Sequence, residues 1–473
     1  MERRHTIRYL LVAVLCLLVT SCQAQDHHRS NGAVGADSML FVAIDTSYSF
    51  IRYDQNHLIL SGDSSQFRHF AEKWYQMLSS GEGHINVVQI GASHVQGGTL
   101  PHRIRRNLLL PLDDMVSGRG LIFPYSAAPK CNNPYDYRVS RSRALTLTRS
   151  VFKAPSETLG LTGIAVTADD EPADIGISLN EPDIDFATSR IVLLGYARGG
   201  VVPQLRFRNA EGKQVTLQPE SADTLMRRYT YKLNEAVDSF HVVMPCKQGQ
   251  SFVLTGVYLD NEKPGVSFHS IGVNGASLRE YLEKCPYLTR DLQLIKPDLV
   301  IFGIGINDAA GSTYDTALFR RRFVRLVDSI RSVSPDCAFL FITNNDSFRR
   351  IKKSYEVNTN GVLAREAFLR IGKQTGGAVW DQFTVMGGLK SMDAWYENQL
   401  AQRDRIHFTR KGYELIGDLL TNALAETLMQ LCPDEYRNAS TKSEHHNGSA
   451  TTPKNNQNTP SKATDERPNY ISY

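Results

Sequence analysis

A serine becomes a nucleophile when a histidine takes its proton and a carboxylate holds that histidine in one tautomer. Three short blocks of this chain carry residues of those types at the ends of apolar runs. Ser93 sits in Ile90-Gly-Ala-Ser-His-Val-Gln-Gly-Gly98, directly after the run Ile85 to Ile90. A serine just past the C-terminal end of a buried strand stands where α/β folds place their ligands, and the next helix start offers backbone N–H groups to a developing negative charge. Serine beside glycine is also common in ordinary turns. The second block is Gly303-Ile-Gly-Ile-Asn-Asp308, whose Asn307 can aim a side-chain N–H at an oxyanion or simply close an Asx turn or cap a helix. The third is Asp404-Arg-Ile-His407. An aspartate three residues before a histidine on a tight turn can accept from one imidazole nitrogen and leave the other free as a base. A surface ion pair would use the same spacing, and Thr409 is placed to cap the helix that follows.

The elements that would position these blocks are legible in the hydrophobic pattern. Phe67, Phe70, Ala71, Trp74 and Leu78 form a helical stripe before the strand Ile85 to Ile90. Asp298 to Gly303, Ala338 to Thr343 and Ala378 to Phe383 read as further buried strands. Helices lie between them, one with Phe319, Phe323, Leu326, Val327 and Ile330 on one face, another around Val362 to Gly372. A last helix after Thr409 turns Tyr413, Ile416, Leu420 and Leu424 inward. Buried strands alternating with amphipathic helices predict a three-layer α/β/α domain with a parallel sheet.

Residues 140–265 follow a different period. Short alternating stretches such as Ala144 to Thr148, Arg190 to Leu194, Gln204 to Phe207, Tyr229 to Leu233 and Phe240 to Met244 are separated by turn residues, and Asn209 to Lys213 has the composition of a hairpin loop. This pattern predicts an inserted β-sandwich with its own core. The expected organisation is a leader (1–22), a tether (23–37), the first part of the α/β domain (38–139), the sandwich (140–265), the second part of the α/β domain (266–436) and a disordered tail (437–473) rich in Ser, Thr, Asn, Pro and Lys.

The leader has an arginine-bearing start, an apolar run from Tyr9 to Val19 too short to span a bilayer, and then Val19-Thr-Ser-Cys22. That ending resembles a bacterial lipobox, which makes Cys22 the expected lipidation site. A plain signal peptide cut near Ala24 is the other reading. No Asp follows Cys22 to argue for retention at an inner membrane. The formal charge of +4 over 473 residues comes from the ends: Arg3, Arg4 and Arg8 against Glu2 in the leader, and Arg437, Lys442, Lys454, Lys462 and Arg467 against Glu444, Asp465 and Glu466 in the tail. The body is near neutral and lacks the basic stripe that nucleic-acid binding requires. Beyond Cys16 and Cys22, the five cysteines (Cys131, Cys246, Cys285, Cys337, Cys432) are scattered and give neither zinc-ligand spacing nor a disulfide framework.

Taken together, the ordered blocks resemble the SGNH (GDSL-like) hydrolase family, over roughly residues 85–125 and 265–430. Ser270-Ile-Gly-Val-Asn-Gly-Ala276 fits the family's second block, whose glycine gives a backbone N–H to the oxyanion hole: Gly275, with Gly272 as the alternative. The resemblance implies a triad of Ser93, Asp404 and His407, an oxyanion hole from the N–H groups of Ser93 and Gly275 and the side chain of Asn307, and acyl transfer with no metal or cofactor. The lipobox, the insertion after the first block and Gly118 to Tyr125 look like exported bacterial esterases that remove O-acetyl groups from peptidoglycan or other polysaccharide, with the sandwich as a carbohydrate-binding-like module. The implied place is the cell envelope, as an outer-membrane lipoprotein facing the periplasm or the outside and touching the membrane through its lipid only. A glycan O-acetyltransferase would use the same triad. A silent glycan-binding surface lipoprotein is the reading from another class, prompted by Ala92 where the family usually has Asp. A literal Gly62-Asp-Ser64 also occurs upstream, but it immediately precedes the stripe beginning at Phe67 and reads as a helix N-cap.

Overall fold

The computed structural model describes residues 41–437 apart from 113, 114, 130, 182 and 353. Cys22, the leader, the tether and the tail lie outside the described residues. The chain enters through β1 (Leu58–Leu60), α1 (Ser65–Ser80), β2 (His84–Gly91), a single turn α2 (Ser93–Gln96) and α3 (Thr99–Leu109). It leaves for the inserted region and returns in β3 (Gly265–Gly272), α4 (Leu278–Lys284), α5 (Leu288–Ile295), β4 (Leu299–Gly303), α6 (Thr316–Arg331), β5 (Ala338–Ile342), α7 (Asn360–Thr375) and β6 (Ala378–Trp380). Two short helices, α8 (Gln382–Val385) and α9 (Ser391–Glu397), precede the long α10 (Arg410–Gln430).

The six strands form one sheet in the order β1-β6-β5-β4-β2-β3. Every pairing is parallel except β1 with β6. Both faces are covered, as the near-continuous apolar strands require. On one face α1, α3 and α10 pack Phe67, Trp74, Ile104, Leu420 and Leu424 against Val87, Leu299 and Leu340. On the other, Leu278, Leu292, Phe323 and Phe368 from α4 to α7 meet Val88, Val300 and Phe302. The connection from β2 goes to β3 on one side, and from β3 back across to β4 on the other. The switch point, where an open parallel sheet forms its ligand crevice, therefore lies between β2 and β4.

The predicted α/β/α domain with an inserted β-sandwich is what the fold shows. Its sandwich pairs a five-stranded sheet with a seven-stranded one. Two details differ from the sequence reading. Gly120–Ile122, ahead of the expected start at 140, already pairs with Ser251–Asp260 of the seven-stranded sheet. The core is also not wholly the sandwich's own. Ile191, Leu193, Phe252 and Leu254 face inward, whereas Val192, Leu194 and Val253 face outward into the cluster that contains Val88, Ile90 and Val300. All ten positions of Ser251–Asp260 are buried for that reason. A buried ion network reinforces the seam: Arg105 of α3 and Arg119 both donate to Asp136 Oδ2, at 2.8 and 2.6 Å.

Candidate active site

The serine, glycine and asparagine blocks fall where parallel strands end, whereas the Asp-x-x-His block lies on a turn between two helices. Ser93 opens α2 just past β2, the turn before it set by Ala92 at φ −114°, ψ −131°. Asn307 follows β4, so Ser93 and Asn307 stand on the two sides of the switch point, and Gly275 follows β3, the other neighbour of β2. Asp404 and His407 lie on the turn before α10, whose first turn Thr409 caps by accepting from Gly412 N at 3.2 Å.

The structure brings Ser93, His407 and Asp404 into one hydrogen-bonded line. Ser93 Oγ is 2.7 Å from His407 Nε2, and His407 Nδ1 is 2.7 Å from Asp404 Oδ2. Asp404 Oδ1 also accepts from the backbone N–H of Ile406 at 2.9 Å and of His407 at 3.0 Å. Burial opposes ionisation of Asp404, but the hydrogen bonds from the His407 side chain and from the two N–H groups outweigh it and hold the carboxyl down to about 2. An ionised acceptor at Nδ1 keeps the proton there and leaves the Nε2 lone pair for the serine hydroxyl.

Donors for an oxyanion lie on neighbouring peptides. Ser93 N begins a helix and has no intrahelical partner. Gly275 is exposed, at φ +82°, a left-handed conformation that favours glycine. Among the described residues no acceptor occupies its N–H. Asn307 Nδ2 donates to Ala276 O at 2.9 Å, which places that amide beside the Gly275 peptide and leaves its second N–H unspent. Gly272 is instead closed in, because a Cβ there would meet Gln96 N at 2.3 Å and Ala92 O at 2.7 Å. It serves close backbone approach between β3 and the serine turn.

Several supporting residues gave no sequence signal. His94 and Gln96 brace the serine turn. His94 Nδ1 meets Tyr413 Oη at 2.8 Å, its ring is centred 5.1 Å from that of His407, and burial followed by the neighbouring His407 pushes it down to about 3. Gln96 Oε1 accepts from Asn274 N at 2.7 Å. The Asp404 turn is anchored by Arg405, which takes φ +55° and donates to Asp393 Oδ1 at 2.6 Å.

Gly62-Asp-Ser64 lies elsewhere. Because β1 runs antiparallel to β6, Leu60 pairs with the first residue of β6, which puts Ser64 at the sheet edge opposite Ser93. It occupies the N-cap position of α1, as the sequence suggests, but its hydroxyl makes no capping bond. Asp63 Oδ1 instead accepts from Ser65 N at 3.0 Å.

A three-layer parallel sheet with these blocks at its C-terminal edge is the SGNH hydrolase fold. Residues 254–415 match the model of the GDSL-like Lipase/Acylhydrolase family, and the chain carries a domain of that family. The matched span holds Gly275, Asn307, Asp404 and His407 but not Ser93, which the inserted sandwich separates from it. A solved peptidoglycan O-acetylesterase is similar in fold over 79% of this chain and 99% of its own, at a TM-score of 0.63 and 20% identity. An acetyl xylan esterase, AlAXEase, matches at 15% identity over 33% of this chain and 79% of its own, with a TM-score of 0.27. A family two carbohydrate esterase from Cellvibrio japonicus matches at 10% identity over 63% and 99%, with a TM-score of 0.26. No curated protein matches the chain in sequence. Fold and family together are those of an SGNH-type esterase.

Proposed function

We propose that this protein removes O-acetyl groups from peptidoglycan or a related cell-envelope polysaccharide, with Ser93 as nucleophile, His407 as base and Asp404 as the residue that orients it. The observation that carries the reading is the line Ser93–His407–Asp404 at 2.7 Å for each link. In the first step His407 Nε2 takes the Ser93 proton as Oγ attacks the acetyl carbonyl carbon. The oxyanion that forms is received by the N–H groups of Ser93 and Gly275 and the side chain of Asn307. Collapse breaks the ester C–O bond, the sugar hydroxyl leaves with the proton from His407, and acetyl remains on Ser93. Water, giving a proton to His407, then attacks the acyl-enzyme, and acetate departs as the proton returns to Ser93.

Ala92 replaces the family's usual acid without removing the triad carboxylate, because Asp404 comes from the last block. The fold shared with a peptidoglycan O-acetylesterase over 99% of that chain supports the substrate class, as does the lipobox, which would anchor the exported protein to the envelope through Cys22. Acetate release from O-acetylated peptidoglycan, set beside acetylated xylan and beside acetyl gained by a glycan acceptor, tests the reading. Release from peptidoglycan without acceptor acetylation is the expected result. Acetyl transfer in place of release would make the protein a glycan O-acetyltransferase. Glycan binding without turnover would make it the silent lipoprotein.

A further inference from the structure

The peptide that joins Asn274 to Gly275 carries the oxyanion donor of the proposed esterase at its N–H, and its other polar atom is held by the inserted sandwich. Arg149 ends the sandwich strand Thr146–Arg149, and its Nη2 donates to Asn274 O at 2.6 Å. On the other side of the same residue, Asn274 N donates to Gln96 Oε1 of the serine turn at 2.7 Å. The residues after Arg149 continue along this turn. Val151 Cγ1 lies 4.0 Å from where a Cβ of Gly275 would stand, and Lys284 Nζ of α4 donates to Phe152 O at 2.6 Å.

We infer that Arg149 is a positioning residue for the oxyanion hole, so that the inserted sandwich completes the active site instead of serving only to hold glycan. The inference rests on the proposed esterase function and deepens it. In a trans peptide C=O and N–H point in opposite directions. A guanidinium fixed on the Asn274 carbonyl therefore sets the direction of the Gly275 N–H across the peptide plane. Without it the turn, exposed and built around a glycine at φ +82°, would have a second peptide orientation open to it. A charged donor on the carbonyl also polarises the same amide and strengthens the N–H as a donor. Among the described residues the Arg149 Nε is buried without a partner. Its guanidinium stands beside the site where negative charge develops, a context in which preorganised electrostatics act on the transition state more than on bound ester.

The test uses the full chain and 4-nitrophenyl acetate, which has no sugar for a carbohydrate module to bind, alongside O-acetylated peptidoglycan. Wild type, Ser93→Ala, Arg149→Met, Arg149→Gln and Arg149→Lys are compared, with thermal melts for each. Arg149→Met is expected to lower kcat roughly tenfold or more on both substrates, short of the 10²–10³-fold typical of deleting a donor outright, with KM within about twofold. Arg149→Lys, which keeps a charged donor, recovers part of that loss. If Arg149→Met fails to fold, Arg149→Gln, too short and uncharged, carries the same expectation. A folded Met or Gln variant with wild-type kcat overturns the inference while Ser93→Ala is inactive, and the esterase reading then stands. A loss confined to KM, or seen with peptidoglycan alone, also overturns it and leaves the sandwich a binding module. Wild type and Ser93→Ala behaving alike would remove the esterase reading and this inference with it.

Discussion

Asn345, just past the end of β5, donates its side-chain N–H to the backbone carbonyl of Ile406 at 3.0 Å. It thereby ties the neighbouring strand end to the residue before His407, and Phe348 N adds a second tie to Arg405 O at 3.1 Å. Asn345→Ala should free the turn that presents the imidazole. The expected outcome is a loss of roughly 0.5–1.5 kcal/mol in urea unfolding from the lost hydrogen bond, together with a kcat decrease at nearly constant KM. Wild-type kcat in a folded variant would show that the turn holds its geometry unaided.

Asp404→Asn should keep the fold, since the amide is isosteric, yet lower kcat by on the order of 10³–10⁴-fold. The Nδ1–H tautomer would no longer be enforced and the imidazolium would lose its counter-charge. Steady-state rates on 4-nitrophenyl acetate check this. A rate within a few-fold of wild type would take Asp404 out of the mechanism.

The two serines separate by stability as well as by activity. Ser64 makes no capping bond, so Ser64→Ala should leave unfolding within about 0.5 kcal/mol of wild type and turnover unchanged. Asp63→Ala, which removes the bond to Ser65 N, should be the more destabilising change. Denaturant melts of the two variants measure this. A turnover defect in Ser64→Ala would reopen the question of which serine attacks.

The parallel sheet, the inserted sandwich and the blocks carrying Ser93, Gly275, Asn307, Asp404 and His407 were legible because each rests on local information: an apolar run followed by a turn, a two-residue period between turn residues, or the three-residue spacing of Asp404 and His407 ahead of a helix. What escaped depends on tertiary contact. The strand Ala378 to Phe383 stops at Trp380 because Asp381 caps α8, accepting from Thr384 N at 3.2 Å. Gly120–Ile122 joins the sandwich through a pairing with residues far along the chain, which no local period reveals. Gln96, Arg149 and Asn345 look like ordinary polar residues until the strand ends converge. The capping of α1 by Asp63 instead of Ser64 turns on backbone angles that Gly-Asp-Ser-Ser does not specify.

Stability should fall on acidification through His269. This side chain is fully buried at the seam of the two layers, and its Nδ1 accepts from Leu121 N at 2.8 Å. Burial, followed by Arg119 and Arg105, pushes it down from 6.5 to about 3. Below 6.5 the unfolded chain binds a proton that the folded protein refuses, so folding stability is lost as pH drops from that value toward about 3, by roughly 1.4 kcal/mol per pH unit. Urea unfolding at pH 7 and pH 5 should show that slope, and His269→Gln should reduce it. An identical slope in the variant would place the effect on other groups.

In the proposed mechanism Ser93 is the nucleophile and His407 activates it. Labelling with a fluorophosphonate, followed by peptide mass spectrometry, checks this because the reagent captures an activated serine whatever the natural ester. A single adduct on the peptide containing Ser93, lost in Ser93→Ala and strongly slowed in Asp404→Asn, is the expected result. An adduct on Ser64, or no adduct on a folded protein that still hydrolyses acetyl esters, would contradict the assignment.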